Sequence, residues 1–169
     1  MAVTDEKIRI GTLVGAGAKA PAYIKQIAHH GFESYALTFW QTLGDTNLDK
    51  LADELRPVLA EQGAVISSLG IFGNPLESGE KDEATRKGFE TLIDKAHLFD
   101  TDLVVGFAGR LRGKPIHESI GRFAEVFTPL AERAGSKGVR IAFGRLEHRA
   151  QSRGVGVDVR RRSARQPWP

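Results

Sequence analysis

Aromatic, amide and basic side chains follow the apolar runs of this 169-residue chain. The segments 39–41, 72–74 and 107–110 have the sequences FWQ, FGN and FAGR, and Phe143 ends a further apolar run. Aromatic walls with a few amides and an arginine suit a small polar ligand such as a sugar, which presents apolar CH faces and hydroxyl groups. We predict that five side chains position this ligand without acid–base chemistry: Trp40, Phe72, Asn74, Phe107 and Arg110.

The segment 15–20, GAGAKA, matches the G-x-G-x-x-A pattern of dinucleotide-binding turns. That turn requires an acidic residue about 20 residues later, where this chain has Thr38 and Gln41. Pro21 also stands where the following helix should already be running. We therefore favour a flexible loop over a dinucleotide site.

The histidines do not have the spacing of metal ligands. His29 and His30 end a short apolar stripe, where a cation is favourable at the end of a helix. The chain has no Cys, which excludes disulfides and thiolate metal sites. We therefore assign no catalytic residue, no metal ligand and no cofactor to this chain.

Strand-like and helix-like segments alternate along the sequence. The predicted strands are 8–14, 34–40, 64–72, 102–107 and 138–143. Apolar residues three and four positions apart predict a helix between successive strands. Pro57 and Pro129 lie within two of these helices and predict a bend or a late start.

The alternation predicts an α/β fold with parallel strands, since each crossover is long enough to contain a helix. One architecture with this pattern is an open, doubly wound sheet of about five strands. The other is a (β/α)8 barrel, which needs ~250 residues, so this chain would contain about half of one.

Three segments resemble a known family, and this resemblance favours one of the two architectures. They are IRIGTLVGAGAKAPAYIKQIAHHGFESYALTFW, ISSLGIFGNPLE and DLVVGFAGRLRGKPIHESIGRFAEVFTPLAERAGSKGVRIAF. Over residues 7–143 the chain resembles the sugar phosphate isomerase/epimerase family, the xylose isomerase-like TIM barrel group. The resemblance implies a partial (β/α)8 barrel of about the first five strands and four helices. It also implies a metal-dependent sugar isomerase or epimerase as the activity of intact relatives.

The resemblance fails at the residues that would bind the metal. In the family, the strand that ends here at Phe143 is followed by Glu-Asn, and that Glu is the first carboxylate ligand of a divalent Mn²⁺ or Mg²⁺ ion. In this chain Gly144 and Arg145 follow instead. We therefore expect no metal in this chain and little or no catalysis.

Residues 144–169 differ in composition from the rest of the chain. They carry seven Arg, no Lys and two acidic residues, whereas residues 1–143 have a net charge of −2. Another reading frame, with codons that these amino acids allow, gives WSTGRNPEAWELMFDAVARDNLG, which resembles the family segment after the fifth strand. We therefore predict a truncated barrel domain, 1–143, and an aberrant Arg-rich tail, 144–169, produced by a frameshift. A genuine tail that binds nucleic acid is the alternative.

A five-stranded, flavodoxin-like binding or signalling module is the alternative for the whole chain. Against it, the segment 13–15 has no acidic cluster of the kind that a phosphoacceptor module needs. We expect a cytoplasmic protein without a membrane partner, because no apolar run reaches the ~18 residues of a membrane span. A sugar or sugar phosphate is the expected ligand and nucleic acid is not an expected partner. Self-association through exposed sheet edges is expected.

Overall fold

The computed structural model describes residues 8–144, so most of the predicted tail 144–169 lies outside the described residues. Within this range five strands alternate with four α-helices. The strands are β1 (Gly11–Gly15), β2 (Ser34–Phe39), β3 (Val65–Ile71), β4 (Leu103–Gly106) and β5 (Arg140–Phe143). The helices are α1 (Ala20–Ile27), α2 (Leu48–Gln62), α3 (Glu80–Lys95) and α4 (Ser119–Ser136). None of the described helices is long and apolar enough to cross a membrane.

The five strands form one parallel sheet in which each strand pairs with the next along the chain, in the order β1-β2-β3-β4-β5. A flavodoxin-like sheet has the order 2-1-3-4-5, because its chain reverses direction after the first pair. The flavodoxin-like alternative is therefore wrong for the fold. Consecutive parallel strands with a helix after each are the arrangement of a (β/α)8 barrel, so the predicted partial barrel is confirmed.

One face of the sheet packs on the helices. In β2, Tyr35, Leu37 and Phe39 are at most 5% exposed and belong to the hydrophobic core, together with apolar residues of all four helices. Because side chains alternate along a strand, Thr38 and Trp40 lie on the opposite face. We call that opposite face, which carries Thr38 and Trp40, the open face.

The helices contribute apolar stripes to the same core. Their buried side chains include Ile24 of α1, Leu51 and Leu55 of α2, Phe89 and Leu92 of α3, and Phe127 and Leu130 of α4. The spacing of three and four residues places these side chains on one side of each helix. The helices therefore cover one face of the sheet and leave the open face without a helical layer among the described residues.

Of the bend or late start expected for the two proline-containing helices, the late start is not observed. Helix α2 begins at Leu48, well before Pro57, and α4 begins at Ser119, well before Pro129. Both prolines are exposed, so the rings lie on the solvent side while the opposite side of each helix packs in the core. This packing offsets the loss of one backbone hydrogen bond, which is the intrinsic cost of an interior proline.

The predicted start of the first strand also shifts. The first strand begins at Gly11 rather than residue 8, because Gly11 is the first residue that pairs with β2, at Ser34. Ile8 and Ile10 precede the pairing and are 94% and 67% exposed. Pro21 lies in the first turn of α1. A proline is tolerated there because the first backbone N–H groups of a helix have no hydrogen-bond partner within the helix.

Candidate functional site

Three of the predicted ligand-binding side chains follow neighbouring strands on the open face. Phe39 of β2 pairs with Ile71 of β3, and Ile71 pairs with Gly106 of β4. The next residue in each strand direction is therefore Trp40, Phe72 or Phe107, and all three lie on the open face. We call these three residues the aromatic row.

The aromatic row combines a packed pair with an exposed indole. The ring centroids of Phe72 and Phe107 are 4.8 Å apart with planes inclined by 59°, within the range of favourable aromatic contacts. Trp40 is 69% exposed. The exposed indole at the end of β2 and the phenyl pair at the ends of β3 and β4 offer apolar surface of the kind that packs against the CH face of a sugar.

The other two aromatic residues at strand ends point the opposite way. Phe39 is 5% exposed within the core. The ring of Phe143 packs against α4, at centroid distances of 5.5 Å from Phe123 and 4.9 Å from Phe127. Phe39 is therefore a core residue, and Phe143, which is 44% exposed, packs on the helix side of the sheet. Neither contributes to the open face.

Two glycines give the aromatic pair its space. A Cβ atom at Gly70 would lie 2.8 Å from Cε2 of Phe72, so the ring folds back over this glycine. A Cβ atom at Gly144 would lie 3.7 Å from Cε1 of Phe107 and 3.8 Å from Cε1 of Phe72. A side chain at position 144 would thus project onto the open face beside the pair, which is the position of the carboxylate expected from the resemblance.

Asn74 and Arg110 lie beyond the strand ends and contact each other. The Asn74 side chain donates from Nδ2 to the backbone oxygen of Arg110 at 2.8 Å and accepts from the Arg110 backbone N–H at 3.0 Å. The Arg110 side chain is exposed, and its guanidinium donates to the backbone oxygen of Lys114 at 3.4 Å. The structure thus brings these two predicted residues together, with Asn74 held between two loops.

Two further residues near the strand ends were missed by the sequence analysis. Thr38 lies on the open face and donates from Oγ1 to the backbone oxygen of Val14 at 3.2 Å. Gln41 has a φ of 61°, a conformation that costs free energy in a residue other than glycine. The hydroxyl of Thr85 donates to the Gln41 carbonyl at 2.7 Å and so stabilises this turn. Nothing in the sequence around Gln41 indicates the unusual backbone conformation.

The carboxylates with shifted pKa values belong to ion pairs on the helices and at the amino ends of strands. Hydrogen bonds from Arg140 to Asp102, at 2.9 and 3.1 Å, lower the pKa of the Asp102 carboxyl. Hydrogen bonds from Arg133 lower the pKa of Asp94, and a hydrogen bond from Lys95 lowers the pKa of Asp49. Each shift favours the ionised form, whereas a general acid needs a raised pKa. These three carboxylates are held in ion pairs with Arg140, Arg133 and Lys95.

Residues 8–144 contain no group of three or more His, Asp or Glu side chains that could hold a metal ion. Divalent ions such as Mg²⁺ and Mn²⁺ need several converging oxygen ligands, usually with carboxylates among them. The described part of the open face instead carries the aromatic row, Thr38 and glycines. Its side chains do not fit a divalent metal.

Comparison with known families decides what kind of barrel this is. The sequence model of the xylose isomerase-like TIM barrel matches residues 24–149. The chain belongs to the xylose isomerase-like TIM barrel family. No match was found among curated proteins.

Solved structures share the fold of this family member. D-psicose 3-epimerase from Clostridium cellulolyticum H10, solved with D-tagatose, superposes with a TM-score of 0.58 at 17% identity, covering 79% of this chain and 51% of the epimerase. A 3-keto-D-glucoside 4-epimerase from E. coli gives a TM-score of 0.59 at 15% identity, covering 81% and 56%. A xylose isomerase-like TIM barrel protein from Mycobacterium smegmatis, in complex with magnesium, gives 0.57 at 18%, covering 80% and 54%.

These identities are low enough that the likeness shows the fold alone. The chain spans about half the length of each of these structures. The five strands and four helices therefore correspond to part of a TIM barrel.

Proposed function

We propose that this chain provides a sugar-binding half of an isomerase or epimerase barrel and has no isomerase activity by itself. The observation that carries the proposal is the aromatic row at the carboxyl ends of three neighbouring parallel strands. In α/β barrels this end of the strands is where ligands bind. Trp40 is exposed at the end of β2, and the Phe72–Phe107 pair adds apolar side chains at the ends of β3 and β4.

The ligand class follows from this surface and from the structural neighbours. Two of the neighbours are epimerases of sugars, and one of these was solved with D-tagatose. An aromatic surface suits a sugar, and the exposed guanidinium of Arg110, in the loop that follows β4, suits a sugar phosphate as well. We therefore propose a sugar or a sugar phosphate as the ligand.

The side chains on the open face support the proposed lack of isomerase activity. Intact relatives are expected to use Mn²⁺ or Mg²⁺, but the described residues do not fit such an ion. The residue after β5 is Gly144, whose Cβ direction faces the aromatic pair and which has no carboxylate to offer. The proposed role of the chain is therefore to bind and orient the sugar, and not to transfer protons.

We also propose that 1–143 is a truncated barrel domain and that 144–169 is the product of a frameshift. The change in charge and composition after Phe143 and the family-like alternative reading frame support this proposal. Resequencing the gene and translating all three frames beyond Phe143 tests it. A family-like second half in another frame is the expected result, and its absence in every frame would contradict the proposal.

The cellular setting is proposed on the same basis. A cytoplasmic location fits a family of sugar enzymes and a chain without cysteine. The outer edges of β1 and β5 have no pairing strand among the described residues, and such edges pair readily with other chains. We therefore propose self-association through these edges, with no nucleic acid as a partner.

Indole fluorescence tests sugar binding directly. The chain has two tryptophans, so a Trp168→Phe background leaves Trp40 as the only indole. Titration with D-tagatose and with a ketose phosphate should change the Trp40 emission with a Kd of roughly millimolar, because few polar contacts are available. The Phe72→Ala variant should weaken binding, whereas Ile116→Ala, which removes an exposed side chain outside the aromatic row, should not. An emission unchanged by either ligand would contradict the proposal.

A further inference from the structure

The loop after β4 (residues 107–115) is held by an asparagine that belongs to the neighbouring loop. The ladder between β3 and β4 ends at the pair Ile71 and Gly106. Beyond it, the Asn74 side chain meets both backbone groups of Arg110, accepting from its N–H and donating to its carbonyl at 3.0 and 2.8 Å. The Asn74 side-chain amide thus makes the two hydrogen bonds that a backbone amide of a neighbouring strand would make to Arg110.

The fit of the two loops is close enough to fix the residue type at position 109. Gly109 has a φ of 76°, in the left-handed region that favours glycine. A Cβ atom there would overlap Oδ1 of Asn74 and would lie 3.0 Å from Cδ of Pro75. Any side chain at position 109 would therefore push the asparagine away from Arg110.

The next two residues of the loop are also held, by other elements. The backbone N–H of Leu111 donates to Oγ of Ser119, at the start of α4, at 3.0 Å. The guanidinium of Arg112 binds Oδ1 of Asp82, in the first turn of α3, at 3.1 Å. Ser119 and Asp82 are both 5% exposed, so their positions are set by packing. Three successive loop residues are thus tied to the neighbouring loop, to α4 and to α3.

We propose that Asn74 is a positioning residue: its amide fixes the backbone at Arg110 and thereby orients the loop that carries Phe107 and the Arg110 side chain. This assignment replaces the expectation that Asn74 touches the sugar itself. The assignment rests on the proposed function, in which the aromatic row and Arg110 bind the sugar. The Asn74 side chain bonds to the backbone of Arg110 and, at 3.4 Å, to the backbone N–H of Leu76, so it does not engage the Arg110 guanidinium.

Hydrogen exchange measured by NMR on the full chain tests the positioning role. In Asn74→Ala, the Arg110 amide should exchange about tenfold faster or more, relative to the amide of Val104 inside β4, because two hydrogen bonds are lost. Asn74→Asp keeps the acceptor for the Arg110 N–H and loses the donor, so its effect should be smaller. Arg110→Ala is the matched control and should leave exchange at position 110 unchanged, since the bonds join the backbone.

Sugar titration of the same variants in the Trp168→Phe background completes the test. Asn74→Ala should weaken D-tagatose binding severalfold, and Asn74→Asp should lie between it and the parent. An Arg110 exchange rate unchanged in both variants would overturn the proposal, as would parental sugar affinity in Asn74→Ala despite faster exchange. If the parent chain binds no sugar, the proposed function fails, and the exchange rates still decide whether Asn74 holds the loop. Asn74→Asp keeps the test decisive if Asn74→Ala does not fold.

Discussion

The ring of Phe89 occupies the space where a side chain of Gly106 would stand. A Cβ atom added to Gly106 would overlap Cζ of Phe89 and lie 2.6 Å from the backbone oxygen of Ile71. Phe89 is fully buried in α3 and also packs edge-on against Phe127 of α4, with ring centroids 5.5 Å apart. The glycine of β4 therefore allows α3 to approach the sheet at its centre.

The first prediction compares two glycines that differ in the free space around their Cβ positions. Gly106→Ala should lower the free energy of unfolding by about 3 kcal/mol, because neither the buried ring nor the backbone oxygen can move freely. Gly135→Ala should raise it by about 0.5–1 kcal/mol, since nothing lies within 4 Å of its Cβ position in α4. Urea denaturation followed by circular dichroism measures both. Equal effects of the two substitutions would contradict the close approach of Phe89.

The second prediction concerns the start of α2. Oδ1 of Asn47 accepts a hydrogen bond from the backbone N–H of Lys50 at 3.0 Å, which satisfies one of the free N–H groups of the first turn. Asn47→Ala should lower the free energy of unfolding by about 1 kcal/mol. Asn47→Asp, which keeps the acceptor, is the control and should lose much less. An equal loss in both variants would show that the cap is not responsible.

The sequence was sufficient to predict the helices and strands, but not the face of the sheet on which the side chains at the strand ends lie. Apolar stripes in the helices and apolar runs in the strands indicate the five strands and the helices between them. Phe107 and Phe143 both end apolar runs without alternation, so periodicity cannot distinguish the core face from the open face. Pairing with neighbouring strands decides it, because Gly106 lies opposite Phe143 and Phe107 is one residue further on.

Contacts between loops that are distant along the chain could not be predicted from the sequence either. Asn74 and Arg110 are 36 residues apart, and their meeting depends on the register of β3 and β4. The register of β2 and β3 was equally hidden, because it includes an irregularity in which Tyr35 pairs with Ile66 but Ala36 pairs with Ser68. An extra residue in one strand exchanges the two faces beyond it, and no local pattern in β3 indicates where this occurs.

The third prediction concerns stability in acid. Hydrogen bonds from Arg133 and a contact with Lys137 at 3.3 Å lower the pKa of Asp94 in the folded chain. The stabilisation is therefore present above the unfolded pKa of about 3.9 and is lost as the pH falls through the folded pKa. Asp94→Asn should be less stable than the parent at pH 7, and the difference should shrink toward pH 3. A difference in urea midpoint that is the same at both pH values would contradict this.

The fourth prediction concerns metal binding. Calorimetric titration of the full chain with MnCl₂ or MgCl₂ should show no stoichiometric high-affinity site, because the described open face lacks converging carboxylates. Gly144→Glu adds one carboxylate beside the aromatic pair and by itself should not create such a site. Tight one-to-one binding by the parent chain would contradict the proposal that this chain has no metal centre.

The last prediction concerns the sheet edges. The outer edge of β1 has no partner within residues 8–144, and Leu13 on its open face is 67% exposed. Unpaired edges with exposed apolar side chains pair with other chains, and burying that surface is favourable by about 25 cal/mol per Å². The parent chain should therefore associate with increasing concentration in sedimentation velocity experiments.

A lysine in an edge strand opposes such pairing, because the new contact would bury its charge. Leu13→Lys should shift the chain toward the monomer. Ile116→Lys is the matched control, because Ile116 is similarly exposed, at 73%, but lies in the turn before α4 and outside both edge strands. It should associate like the parent. A parent chain that stays monomeric at all concentrations, or equal effects of the two lysines, would show that association does not run through the β1 edge.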